Sequence, residues 1–127
     1  MEDDIAILIV DDVGTVRSFL NQTLVHLGID DIDEAPNAAQ CMAACAKKEY
    51  DIIFLDIELP DGDGKAMIAD INAVSEKTNV VMVSAHSNIE NVKEAIDNGA
   101  KGFVVKPFSP KKIAAILKKF YPKIEFA

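Results

Sequence analysis

Four short apolar runs punctuate this chain, and each stops at a polar residue. They are Ile5–Val10, Ile52–Leu55, Val80–Val83 and Phe103–Val105. A strand with one wet face would alternate apolar and polar residues. An unbroken run of three to six reads instead as a strand covered on both faces, the habit of parallel sheets. Between the runs, apolar residues recur at helical spacing. Val16, Phe19, Leu20, Leu24 and Leu27 precede the stop residue Gly28. A weaker strand is expected over 32–35. Asn37 then caps a helix whose small apolar face is Ala39, Met42, Ala43 and Ala46.

The third strand is expected over 51–56, the fourth over 79–84 and the fifth over 102–105. Met67, Ile68 and Ile71 give the helix after the third strand its apolar face. Ser87 and Glu90 have capping-box spacing before a helix expected to bury Ile89, Val92 and Ile96, ended by Asn98-Gly99. Ser109-Pro110 opens the last helix, with Ile113, Ile116, Leu117 and Phe120 as its stripe. Five strands alternating with five helices predict an α/β fold, a doubly wound parallel sheet with helices on both faces.

The 127 residues suit one domain spanning 1–127, with a core over 5–120 and a short tail over 121–127. Acidic residues outnumber basic ones 21 to 13, a formal charge of −8, which argues against a broad nucleic-acid footprint. No basic amphipathic run suggests a membrane surface, and no apolar run approaches a membrane span. Met1-Glu2-Asp3-Asp4 has the wrong sign for a signal peptide. Cys41 and Cys45, four apart, are too few for a disulfide framework and form a poor zinc site, so free thiols in a reducing cytoplasm are expected.

In a parallel sheet all strand C-termini reach one edge, where α/β proteins bind ligands. The residues ending these strands are Asp11-Asp12, Asp56, Ser84 and Lys106. Three converging carboxylates repel one another, and a hard divalent cation such as Mg²⁺ resolves this. A carboxylate is also a nucleophile toward phosphorus. Phosphoryl transfer needs the oxygens on phosphorus neutralised. The metal, the Lys106 ammonium and the Ser84 hydroxyl can each hold one. The inventory therefore points to an aspartyl phosphate at Asp56.

Taken together, Asp11-Asp12, Asp56 followed by Pro60-Asp61-Gly62, Ser84-Ala85 and the run Phe103 to Phe108 resemble a response regulator receiver domain. The resemblance covers roughly residues 5 to 120 and is nearest to the stand-alone chemotaxis type. It implies a flavodoxin-like fold of strand order 2-1-3-4-5. It implies Asp56 as the phosphoacceptor, charged by a histidine kinase or a histidine phosphotransfer domain. Asp12, Asp56 and the Glu58 main-chain carbonyl would bind Mg²⁺ directly, and Asp11 mainly through water. Ser84, the Ala85 backbone and Lys106 would bind the phosphoryl group, and the Lys106–Pro107 bond would be cis. Ser84 and Phe103 would form the switch. Output would go through a protein target at the surface of helix 4, strand 5 and helix 5, most naturally in chemotaxis or at a flagellar motor. A monomer is expected, with weak dimerisation on phosphorylation left open.

Some residues carry a plainer alternative. Phe103 can be ordinary core, and Glu58 and His86 can be exposed polar residues rather than tuners of phosphoryl hydrolysis. A calcium loop starting at Asp56 is rejected, because its sixth and twelfth positions hold Asp61 and Met67. A phosphorelay intermediate or a phosphate sink is the alternative to motor output. An aspartyl-phosphate hydrolase would want a second Asp where Glu58 stands. A scaffold that never takes phosphate is disfavoured by the intact acids, Ser84 and Lys106.

Overall fold

The computed structural model describes residues 5–85 and 89–126, the side chains of 63–65, 89 and 91 excepted. The elements run β1 (Ala6–Val10), α1 (Gly14–His26), β2 (Asp31–Ala35), α2 (Ala38–Lys47), β3 (Ile52–Asp56), β4 (Glu58–Leu59) and β5 (Gly62–Asp63). They continue with α3 (Gly64–Val74), β6 (Asn79–Ser84), α4 (Ile89–Asp97), β7 (Gly102–Val105) and α5 (Pro110–Phe120). Five strands form one parallel sheet in the order β2-β1-β3-β6-β7. These are the five strands expected from the sequence, in the 2-1-3-4-5 order of a flavodoxin-like fold. The antiparallel pair β4 and β5 lies off this sheet and was not anticipated.

Every residue of β1 and β3 is buried. Successive side chains point to opposite faces, so each apolar run feeds two cores at once. Leu8, Val10, Ile53, Leu55 and Met82 face a layer built with Cys41 of α2, Ile68 of α3 and Ala95 of α4. Ile7, Ile9, Phe54, Val81 and Val83 face the other layer, with Leu20 and Leu24 of α1 and Ile113 and Leu117 of α5. The unbroken runs are therefore explained by helices on both sides.

At the sheet edge, β2 exposes Asp31, Asp33 and Glu34. Lys48 pairs with the first two, and Tyr50 donates to Asp33 at 2.6 Å. Asn37 caps α2 by accepting from the Gln40 amide at 2.8 Å, as its position suggests. Ser109 caps α5 in the same way.

Three helix faces differ from expectation. Ala39, Ala43 and Ala46 are exposed, while Cys41 is buried and Ala38, Met42, Ala44 and Cys45 pack beside it. So many positions of α2 are alanine that spacing alone did not choose a face. On α4, Ile96 is exposed and Ala95 is fully buried. A small residue at the contact lets the helix lie close to its neighbours, and the larger Ile96 is left outside. In α1, Phe19 is also largely exposed. Ser87 of the expected capping box lies outside the described residues.

Replacing Phe54, which is 1 % exposed, with alanine should cost about 3–5 kcal/mol in urea unfolding. Ile96→Ala should stay within about 0.5 kcal/mol of wild type, since the side chain faces water.

Candidate functional site

Strand register assembles the site. Val10 pairs with Leu55, so the next residues, Asp11 and Asp56, lie side by side. Asp56 pairs with Val83, which places Ser84 one step beyond it. Ser84 pairs with Val105, and the Lys106 amide donates to the Ser84 carbonyl at 2.8 Å. All the strand-end residues singled out in the sequence therefore meet at one edge.

Asp11 and Asp56 are buried, at 3 % and 4 % exposure. Asp12 is exposed. One carboxylate oxygen from each of the three lies within 4.8 Å of the others. The Lys106 ammonium sits 2.8 Å from Asp11 Oδ2 and 3.2 Å from Asp56 Oδ2. The Val13 amide donates to Asp11 Oδ1 and the Glu58 amide to Asp56 Oδ1, both at 2.9 Å.

Burial pushes the Asp56 carboxyl above its ordinary range, and the nearby Asp11 charge adds to this. The bond from the Glu58 amide and the Lys106 charge work in the opposite direction. For Lys106, burial alone would favour the neutral amine. The hydrogen bond to Asp11 and the two carboxylate charges outweigh it and hold the ammonium above its usual value.

Ser84 is buried at the end of β6, and Ala85 is exposed beside it. Phe103 is half-buried and packs against the layer formed with α2, α3 and α4. The Lys106–Pro107 peptide is cis. Glu58 is exposed on β4, opposite Asp63. His86 lies outside the described residues. Thr15, Val16, Phe19, Ala85, Pro107 and Phe108 border an open, mainly apolar cleft of about 460 Å³ that reaches Lys106. The Phe19 and Phe108 rings lie 5.7 Å apart in it.

Two supports were not visible in the sequence. Asp61 accepts from the Ala38 amide at 2.7 Å and the Ala39 amide at 3.2 Å, tying the β4–β5 hairpin to the start of α2. The bond from Ala38 holds the Asp61 carboxyl below its usual range. Gly62 makes this approach feasible, since a Cβ there would come within 3.0 Å of the Ala38 Cβ. The other support is Arg17, whose Nη1 donates to the Asp11 carbonyl. Both contacts join residues distant in sequence or made through side chains, so no local motif signals them.

The model of the response regulator receiver domain matches residues 7–118. The chain belongs to this family. Within it, the chain is 33% identical over 113 residues to the chemotaxis protein CheY of Bacillus subtilis, covering 89% of this chain and 94% of that protein. The structure of CheY4, a chemotaxis protein of Vibrio cholerae, matches with a TM-score of 0.84 and 26% identity, over 91% of this chain and 97% of the other. A two-component response regulator of Clostridium difficile matches with a TM-score of 0.88 and 27% identity, over 94% and 97% of the two chains. Receiver domains are signalling modules rather than classical enzymes, and they bind Mg²⁺ at an acidic pocket. The hard carboxylate oxygens of Asp11, Asp12 and Asp56 fit that ion. No helix among the described residues is long and apolar enough to cross a membrane.

The raised pKa of Asp56 gives a pH test. A carboxyl whose folded pKa exceeds its unfolded value contributes stability below the unfolded value, and that contribution is lost as pH rises through the folded one. Without metal, Asp56→Asn should therefore be more stable than wild type at pH 7. The advantage should fade as pH falls toward the ordinary value of 3.8. Urea unfolding in EDTA across this range checks it, and an advantage that grows on acidification would contradict the assignment.

Proposed function

We propose that this chain acts as one receiver unit over 1–127 and takes a phosphoryl group onto Asp56 from a phosphohistidine. The donor is a histidine kinase or a histidine phosphotransfer domain. The single observation that carries the reading is the placement of Lys106 between buried Asp11 and Asp56, with Asp12 completing the acidic cluster. An Asp56 oxygen attacks phosphorus, the P–N bond breaks as the P–O bond forms, and the imidazole leaves and takes up a proton. Asp12, Asp56 and the Glu58 carbonyl would hold Mg²⁺, with Asp11 acting through water. When bound, this ion neutralises charge on the transferring group. Lys106 pairs with a second phosphoryl oxygen. The Ser84 hydroxyl and Ala85 amide take the remaining one. The apolar cleft beside Lys106 supports a protein donor, since a small phosphate ester would have no use for it.

Phosphorylation then draws Ser84 toward the new group, and Phe103 moves further into the space behind it. This shifts the population of the α4-β7-α5 surface toward the form a target binds. That surface draws on a basic stretch: Lys101, Lys111, Lys112, Lys118 and Lys119 lie in it, and no acid falls between Asp97 and Glu125. The chemotaxis relatives favour a chemotaxis or flagellar motor target, with a relay intermediate or phosphate sink as the alternative. On this reading Glu58 and His86 tune the hydrolysis of the phosphoryl group. The unphosphorylated chain is read as a monomer in a cytoplasmic pathway, with weak dimerisation of the phosphorylated form left open.

Incubation with acetyl phosphate and Mg²⁺ should give one labile phosphate adduct by mass spectrometry, located on Asp56 and absent in Asp56→Asn. Rapid turnover of many phosphomonoesters would indicate a hydrolase, and no adduct would indicate a scaffold. Phe103→Ala should weaken the dependence of target binding on phosphorylation, and Glu58→Asn should change the lifetime of the adduct. Wild-type behaviour in both would remove the switch and tuning roles.

A further inference from the structure

Arg17 lies in the first turns of α1, and the chemistry above does not use it. Its Nη1 donates to the Asp11 carbonyl at 2.6 Å, and its Nε donates to Glu34 Oε1 at 3.1 Å. Asn21, one turn further along α1, donates to the other Glu34 oxygen at 3.0 Å. The guanidinium is thus spread between the loop after β1 and the edge strand β2. Its side chain is only 21% exposed.

Asp11 has four anchors, and they do different things. Its amide donates to the Ala35 carbonyl, its Oδ1 accepts from Val13, and its Oδ2 meets Lys106. These three hold Asp11 itself. The fourth, from Arg17 to the carbonyl, holds the peptide plane that leads to Asp12. That plane is rigid, so fixing the oxygen also fixes the nitrogen and Cα of Asp12. Asp12 is the exposed member of the acidic cluster. The Glu34 carboxylate offsets the guanidinium charge, so geometry is what Arg17 can add to the site.

We propose that Arg17, oriented by Glu34 and Asn21, is a positioning residue for the cation site. By locking the Asp11–Asp12 peptide it presets the Asp12 carboxylate for Mg²⁺. The inference rests on reading the acidic cluster as a Mg²⁺ site. Lysine would keep the charge, but its single nitrogen cannot span the carbonyl and Glu34 as the planar fork does.

The test is calorimetric titration of the full chain with MgCl₂ for wild type, Arg17→Ala, Arg17→Lys and Glu34→Gln. It is paired with ¹⁵N spectra of the metal-free Asp12 and Val13 amides and with urea midpoints. Both Arg17 variants should bind Mg²⁺ about tenfold more weakly, as loss of an outer partner of a metal site does. Glu34→Gln should lose less. The Asp12 amide should broaden or split in the metal-free variants while the urea midpoint stays near wild type. Unchanged or tighter Mg²⁺ binding by Arg17→Ala would overturn the proposal. So would wild-type affinity in Arg17→Lys alongside weakened Arg17→Ala, which would make the effect one of charge. A wild-type chain that binds no Mg²⁺ would instead overturn the reading of the cluster itself, and this inference with it.

Discussion

Two buried carboxylates share one ammonium at the heart of this structure. Asp11 and Asp56 lie side by side because β1 and β3 are parallel and in register. Left alone, such a pair would resist ionisation of at least one member. Lys106 bridges both, so three strands converge on a single electrostatic unit. The arrangement is balanced rather than saturated. Asp12 and the solvent side of the cluster leave negative charge for a divalent cation to offset. A phosphoryl group on Asp56 would change the local charge again and give Lys106 a new partner. On the proposed reading, the site would switch through this redistribution, with Lys106 holding whichever anions are present.

The same register explains how much could be read from the chain. Strand ends in a parallel sheet converge by topology, so Asp11, Asp12, Asp56, Ser84 and Lys106 were recognisable without coordinates. The runs of β1, β3 and β6 were clear because each is buried on both sides, whereas in the edge strand β7 only Val104 is buried. Helix faces were less legible where side chains carry little information. Alanines dominate α2, so its buried face turned on Cys41 rather than on any spacing of apolar residues. On α4, Ala95 outcompeted Ile96 for the core because fit between helix and sheet, not hydrophobicity, decides which residue faces in. Asp61 and Arg17 were out of reach for another reason. Their partners are main-chain groups on other elements, and composition does not record them.

The two helical layers divide the labour of the sheet. Val104 points into the α1 and α5 layer, while Phe103 packs on the opposite side with α2, α3 and α4. A shift at the end of β6 can therefore reach one layer through Phe103 while the α1 layer keeps Asp11 and Arg17 in place. On the proposed switch, the site would be held on one side of the sheet and read out on the other. Closely packed interiors suit this, since they move between discrete arrangements rather than deform smoothly.

The acid-rich edge strand has a consequence beyond its pairing with Lys48. An open β edge invites another strand to add to the sheet, and β2 is such an edge. Asp31, Asp33 and Glu34 line it with negative charge and keep it solvated. A partner that extended the sheet at β2 would have to bring its own backbone against that charge. Such charge disfavours strand addition, so crowded copies of the chain have little tendency to grow into a shared sheet through β2.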